Sequence, residues 1–266
     1  MNRQQPRPPV KLDRRHVEKP WGRTDLPRMF GAPAGERIGE IWFVGQPDAP
    51  LLAKYLFTSE RLSVQVHPDD EQARCRGSDR GKCECWFILD AKPGAVIGLG
   101  LRRELTAQEL RSAALDGSIV EEMDWRPVGA GDFLYVPPGT IHAIGGGISL
   151  LEFQQNSDVT YRLYDYGRPR ELHLEDGVAI ARREPYPAHL MTQVDQQEDV
   201  MLVDGPPFAL AYSHADTLTD RTRWILPLSG SVRSNGELAG AGECLLIDPG
   251  TIIESNDARM LIGAAS

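Results

Sequence analysis

Four residues are set apart by type and spacing: Gln65, His67, Glu84 and His142. The first two lie in Leu62-Ser-Val-Gln-Val-His-Pro68, where a strand period of two puts Ser63, Gln65 and His67 on one face. Leu62, Val64 and Val66 take the other face, and Pro68, which cannot donate to a ladder, ends the strand. In Lys82-Cys-Glu-Cys-Trp86 the same alternation groups Lys82, Glu84 and Trp86 and sends Cys83 and Cys85 away from them. His142 follows the Pro138-Gly139 turn that closes an apolar run starting at Gly131. Two imidazoles, a carboxylate and an amide oxygen from three strands suit zinc or another divalent first-row ion, with positions left open for water or substrate. Cys83 and Cys85 suggest thiolate ligation less well, because no second CxxC or His pair completes such a site.

Taken singly, each of these residues has an ordinary structural role, such as a turn histidine or a surface glutamate. An internal repeat changes the balance for His142. Gly131-Asp-Phe-Leu-Tyr-Val-Pro-Pro-Gly-Thr-Ile-His142 aligns without gaps, at an offset of 111, with Gly242-Glu-Cys-Leu-Leu-Ile-Asp-Pro-Gly-Thr-Ile-Ile253. Seven of the twelve positions are identical or exchange one acid for another. A strand-turn-strand unit used twice predicts two copies of one β architecture. Ile253 in place of His142 predicts a polar site in the first copy and a plain core in the second.

The surrounding elements are read from pattern. Ile38–Val44 and residues 51–56 are expected strands, with Glu40 and Trp42 sharing a face that could line a polar cavity. Lys19-Pro-Trp-Gly22 is an expected turn with an aromatic anchor, and residues 69–82 a loop or a single helical turn. Thr106-Ala-Gln-Glu109 is a capping box with Leu105 and Leu110 at the staple positions and Gly117 as the stop, which predicts a helix over 107–116. Extended chain is expected over 119–130, a connector over 167–195, and short strands at 200–203, 208–213, 223–228, 231–233 and 243–247. The sum is an all-β protein, divided at 1–185 (with a tail over 1–12) and 186–266.

Composition narrows the function. The chain has 266 residues, 41% hydrophobic and 25% charged, which allows a sizeable core. A formal charge of −9 argues against non-specific nucleic-acid binding. The polar, proline-rich start has no signal-peptide core, no apolar run reaches a membrane span, and four cysteines follow no secreted framework. A cytoplasmic protein acting on a small molecule is the expectation.

On these residues the chain resembles the type I mannose-6-phosphate isomerases of the short bacterial kind, within the cupin superfamily. Gly131-x5-Pro137-x-Gly139-x2-His142 is similar to the second cupin motif, although Gly146 replaces its usual Asn. Gln65-Val-His-Pro-Asp-Asp70, Lys82-x-Glu84-x-Trp86, Gln155-Asn-Ser-Asp158-Val-Thr-Tyr-Arg162, Lys19-Pro-Trp-Gly22 and Gly39-Glu-x-Trp42 carry the rest. The likeness spans about residues 16–170; beyond that the chain resembles only a degenerate cupin.

The resemblance implies a cupin fold (double-stranded β-helix or jelly roll) and one zinc ion per chain on Gln65, His67, Glu84 and His142. It implies that Ser63 and Lys82 sit at positions of substrate or phosphate contact, that Arg162 is the arginine of the catalytic pocket and also binds substrate, and that Lys82, Glu152 and Asp158 join it as catalytic residues. The implied reaction interconverts mannose 6-phosphate and fructose 6-phosphate through an enediol, and Glu152, Asp158, Lys82 and a metal-bound water all stay open as its base. A helical insertion of longer members is reduced here to about 103–123. Two alternatives remain: a non-catalytic or regulatory sugar-phosphate-binding cupin, and a metal-dependent cupin oxidoreductase, against which Gln65 counts.

Overall fold

A computed structural model describes residues 7–266. It stacks three antiparallel sheets, and the strand period decides which side chains meet in each gap. The first sheet has five strands in the order Tyr161–Tyr164, Val64–Val66, His142–Ile144, Val96–Leu101 and Met123–Pro127. The second has seven, running Met191–Gln193, Asp132–Val136, Glu84–Ala91, Ile148–Gln155, Leu51–Phe57, Ile38–Val44 and Asp13–Arg23. These two face each other as the jelly roll expected of a cupin.

Alternation in the second sheet divides its residues between two cores. Tyr55, Phe57, Cys85, Phe87, Leu151 and Phe153 point outward, whereas Leu56, Trp86, Ile88, Ile148 and Leu150 point inward to meet Ile97, Leu99 and Ile144 of the first sheet. The outward set packs on a third sheet built mainly from the C-terminal region, through Phe208, Tyr212, Trp224 and Leu261. That sheet runs Val10–Lys11, Leu245–Ile247, Arg223–Ser234, Glu254–Ala265, Phe208–Ser213 and Val200–Val203, with Glu237–Gly240 paired to Arg223–Ser234. Register shifts interrupt the long pairing of Arg223–Ser234 with Glu254–Ala265. A separate cluster of Ile225, Val232, Ala239, Leu245, Met260 and Ile262 is buried within this sheet.

The helix Ala107–Asp116 forms with Thr106 as its cap, Glu109 closing the box, and Gly117 at φ 86°. With Leu174–Ile180 it covers the outer face of the first sheet, where Leu105, Leu110, Val178 and Ile180 pack on Val64, Val66 and Ile141. Among the described residues no helix is long and apolar enough to cross a membrane.

Several local expectations are corrected. The 119–130 stretch begins with the short helix Ile119–Glu122, and the 167–195 connector holds the helix Leu174–Ile180 and the strand Met191–Gln193. The helical turn allowed for within 69–82 does form, at Asp70–Arg74 with Asp69 as its cap. Lys19-Pro-Trp-Gly22 lies inside the edge strand Asp13–Arg23, whose register shifts between Glu18 and Arg23. A proline is tolerated at such a bulged edge, and Trp21 is buried there as an anchor. The expected strands at 223–228 and 231–233 are one element, Arg223–Ser234, and the Glu254–Ala265 strand is additional. Residues 1–6 of the expected tail lie outside the described residues; Val10–Lys11 pairs with Leu245 and Leu246.

The repeat holds in the backbone. Gly131 and Gly242 take φ 89° and 87°, and Gly139 and Gly250 take 84° and 75°, so both copies turn the chain the same way. Ile253 packs on the apolar cluster of the third sheet.

The junction between the second and third sheets is tight at Gly263, where an added Cβ would lie 2.1 Å from Phe153 Cζ and 2.5 Å from Cε1. Gly263→Ala is therefore expected to lower stability by about 1–3 kcal/mol through overpacking, read as a lower urea midpoint. An unchanged midpoint would show that the aromatic layer gives way freely.

Candidate active site and metal centre

Cross-strand register assembles the site as rows of side chains. On the second sheet Glu152 stands opposite Lys54 on one side and Trp86 on the other, and Gln154 stands opposite Glu84. On the first sheet Gln65 stands between His142 and Arg162. All these strands are otherwise rich in buried apolar residues, so the polar row is enclosed by the core that its neighbours build.

His67, Glu84 and His142 are fully enclosed, and their candidate ligand atoms lie within 4.8 Å of one another. His67 Nε2 is 3.5 Å and His142 Nε2 3.3 Å from Glu84 Oε1. Each imidazole turns its Nδ1 to a backbone carbonyl, Val159 O at 2.8 Å and Thr140 O at 2.9 Å. A proton on Nδ1 leaves Nε2 with a lone pair, the arrangement seen in metal-bound histidines. Burial first, and then the Lys82 charge, lower the His67 pKa. Burial pushes His142 down to about 3. Both rings are thus neutral near pH 7.

Burial would raise the Glu84 carboxyl, but the Lys82 ammonium and then His67 outweigh it and hold it well below the usual range. Lys82 Nζ sits 2.6 Å from Glu84 Oε2 and 3.2 Å from His67 Nε2. Neither Glu84 oxygen accepts a well-formed hydrogen bond. A buried carboxylate oxygen facing two imidazole lone pairs calls for a cation between them. The three residues therefore fit a divalent metal ion. Gln65 completes the group: its Nε2 is 3.2 Å from His142 Nε2, and its Oε1 accepts from Ser63 Oγ at 3.2 Å. A half-turn of this amide would present the oxygen to the centre.

A cavity opens beside the cluster, lined among others by Ser63, Gln65, Lys82, Glu152, Asp158 and Arg162. Glu152 lies deep in it, with Oε1 accepting from Trp86 Nε1 at 3.0 Å and Oε2 3.0 Å from Lys54 Nζ. Lys82 Nζ is 3.8 Å from Glu152. Burial lowers the Lys82 pKa, but Glu152 and then Glu84 outweigh it and raise the value, so the ammonium stays charged. Asp158 is exposed at the rim. Cys83 and Cys85 point into the opposite core, with Cys83 Sγ 3.1 Å from Tyr135 OH.

Three cavity residues were not legible as site residues. Lys54 is the lone charge in the apolar strand Leu51–Phe57, and its Nζ also lies 4.6 Å over the Trp42 ring. That isolation was the available signal. Lys19 pairs with Glu40 at 3.4 Å, and Arg170 sits in a charged run that reads as a connector.

Known proteins resemble this chain in sequence and in fold. The chain is 41% identical over 182 residues to mannose-6-phosphate isomerase ManA of Bacillus subtilis, a match covering 63% of this chain and 58% of the relative. It is 45% identical over 137 residues to the mannose-6-phosphate isomerase of Streptococcus mutans, covering 49% and 43%. The chain spans about half the length of the curated relatives it matches. No protein-family model matches it. The solved structure of the B. subtilis mannose 6-phosphate isomerase superposes with a TM-score of 0.81 at 26% identity, over 97% of this chain and 99% of that one. In sequence and in fold the chain resembles these isomerases, and the cupin fold expected from its motifs is the observed one.

The neutral histidines set a pH dependence for the metal-free protein. Their pKa values are lowered on folding, so the unfolded state binds more protons once pH falls below the ordinary histidine value near ~6.5. Stability from these groups is present above that value and is lost as pH falls toward about 3 for His142. Glu84, also lowered, adds a loss in the same direction below the ordinary carboxylate range. Urea midpoints should therefore fall between pH 7 and pH 5 in wild type and fall less in His142→Leu.

Proposed function

We propose that this chain is a metal-dependent aldose–ketose isomerase that interconverts mannose 6-phosphate and fructose 6-phosphate. The observation that carries the reading is the pairing of two features in one cavity. The His67–Glu84–His142 cluster brings three candidate ligand atoms within 4.8 Å of one another, and next to it Glu152 is a carboxylate held at both oxygens. The names of the relatives supply the substrate.

A zinc ion held by His67, Glu84, His142 and the Gln65 amide oxygen would supply Lewis acidity toward the sugar oxygens. The remaining work falls to the chain's own side chains. The reaction moves a proton between C2 and C1 through a cis-enediol, so it needs one group that can take and return a proton from the same face. Glu152 is our choice for that base. Its bonds to Trp86 and Lys54 fix its plane, which favours proton transfer along one direction. Lys82 brings a fixed positive charge close to where negative charge develops on oxygen. Asp158 stands at the exposed rim, a better place for contact with substrate hydroxyls than for proton transfer in a closed site. With the Gln65 amide turned so that its oxygen faces the centre, the Ser63 hydroxyl, which now donates to Oε1, would accept from Nε2 instead. A cytoplasmic location and a division of the chain near residue 185 belong to the same proposal.

The test is a coupled assay on zinc-loaded protein. Wild type should form fructose 6-phosphate from mannose 6-phosphate. Glu152→Gln, which keeps the shape of the side chain, should lower kcat by about 10²–10⁴-fold with the metal content unchanged. Loaded wild type without turnover would remove the substrate claim. A Glu152→Gln rate close to wild type would move the base elsewhere.

A further inference from the structure

The ligand cluster straddles two sheets: Glu84 opens the second-sheet strand Glu84–Ala91, and His67 follows the first-sheet strand Val64–Val66. Lys82 and Cys83, which lead into Glu84, lie outside that strand. This lead-in is held by Gln155, the last residue of Ile148–Gln155. Its backbone N donates to Cys83 O at 3.0 Å, one half of an antiparallel exchange. The returning bond is diverted, because Cys83 N donates to the side-chain Oε1 of Gln155 at 2.9 Å instead of to its carbonyl. That carbonyl is occupied by Ser157 N at 2.7 Å and Gln154 Nε2 at 2.6 Å, where the chain turns away toward the first sheet. The side-chain amide thus stands in for a backbone acceptor. Both backbone groups of the residue between Lys82 and Glu84 end on Gln155.

The other half of the amide reaches the chain beyond His67. Gln155 Nε2 donates to Asp70 Oδ1 at 3.0 Å, and the same oxygen accepts from Gly81 N at 2.8 Å. Beside this junction Lys82 N donates to Pro68 O at 2.9 Å. Gly81 runs so close to that backbone that an added Cβ would lie 2.5 Å from Pro68 O. The segment after Gln155 also returns to His67, whose Nδ1 faces Val159 O. The partners fix the orientation of the amide, since its oxygen accepts from Cys83 N and its NH2 group donates to a carboxylate. Gln155 is buried, so breaking these bonds would leave enclosed polar groups unpaired.

We infer that Gln155 is a positioning residue of the metal centre: through Cys83 and Asp70 it holds the backbone between Lys82 and Glu84 against the chain beyond His67, and so sets the separation at which Glu84 and His67 share a cation. The inference rests on the metal reading above. Gln155 acts through backbone, whereas Gln65 is a candidate ligand in its own right. Glutamine fits the task because one neutral side chain must both accept and donate in the interior. A glutamate would set a second carboxylate against Asp70, and a methionine would fill the space with neither bond.

The experiment is zinc binding to the full chain by competition with a chromophoric chelator, alongside the visible spectrum of the cobalt-loaded protein, which reports ligand geometry. Folded Gln155→Met should bind zinc about ten-fold or more weakly and show shifted cobalt bands. Gly263→Ala, at the junction with the third sheet, should lose stability and keep the wild-type affinity and spectrum. Gln155→Glu should also weaken zinc binding. Combining it with Asp70→Asn, which again sets a donor against an acceptor at constant charge, should recover most of the affinity. Folded Gln155→Met with wild-type affinity and spectrum would overturn the positioning role, as would an equal loss of affinity in Gly263→Ala. Should Gln155→Met fail to fold, the exchange decides, and no recovery over Gln155→Glu alone would overturn the role. Wild type that takes up neither ion would contradict the metal reading and the inference with it. Wild type that loads no better than the Gln155 variants would overturn the inference alone.

Discussion

The structure depends on keeping one carboxylate, Glu84, ionised in an interior that disfavours charge. A buried carboxylate without compensation would take up a proton. Here Lys82 is close enough to prevent that, and two neutral imidazoles turn their lone pairs to the same oxygen. The ammonium offsets the charge on one side only. The other side is shaped for a second cation, which turns an electrostatic burden into a binding site.

That burden is tolerated because the rest of the fold is arranged around it. Each of the three strands that carry Lys54, Glu84 and Glu152 sends every second residue to an aromatic layer under the third sheet. The alternate residues face the first sheet, where the apolar cluster around Trp86, Ile88 and Leu150 gives way to the polar row. Removing one partner of a buried pair is costly, so the acids and lysines of this row depend on one another. Among the described residues the third sheet carries no counterpart to the cluster. At the position matching His142 it has Ile253, and its strand-turn-strand unit serves as packing for the second sheet.

Much of this was legible in the sequence because strands report their faces directly. Gln65 with His67, and Lys82 with Glu84 and Trp86, fall on shared faces by counting alone, and the opposite placement of Cys83 and Cys85 follows from the same count. Thr106, Glu109 and Gly117 announced their helix because capping is a local interaction. What counting cannot supply is which strands become neighbours. Lys54 meets Glu152 only through the pairing of Leu51–Phe57 with Ile148–Gln155, so its role was invisible until the register was known. Arg170 was hidden for a similar reason, since it reaches the cavity from a loop with no period. The Lys19-Pro-Trp-Gly22 segment misled in the other direction: Pro-Gly chemistry reads as a turn, while a bulged edge strand accepts the same residues.

The central claim is that His67, Glu84 and His142 hold a divalent ion. Its most direct test is metal analysis of protein stripped with a chelator, reloaded with zinc and freed of excess by gel filtration, for wild type and Glu84→Gln. The account predicts about one zinc per wild-type chain, as for a site with this ligand set. It also predicts a large loss of zinc from folded Glu84→Gln, whose neutral amide cannot replace the carboxylate. Equal zinc in the two proteins, or none in either, would contradict it.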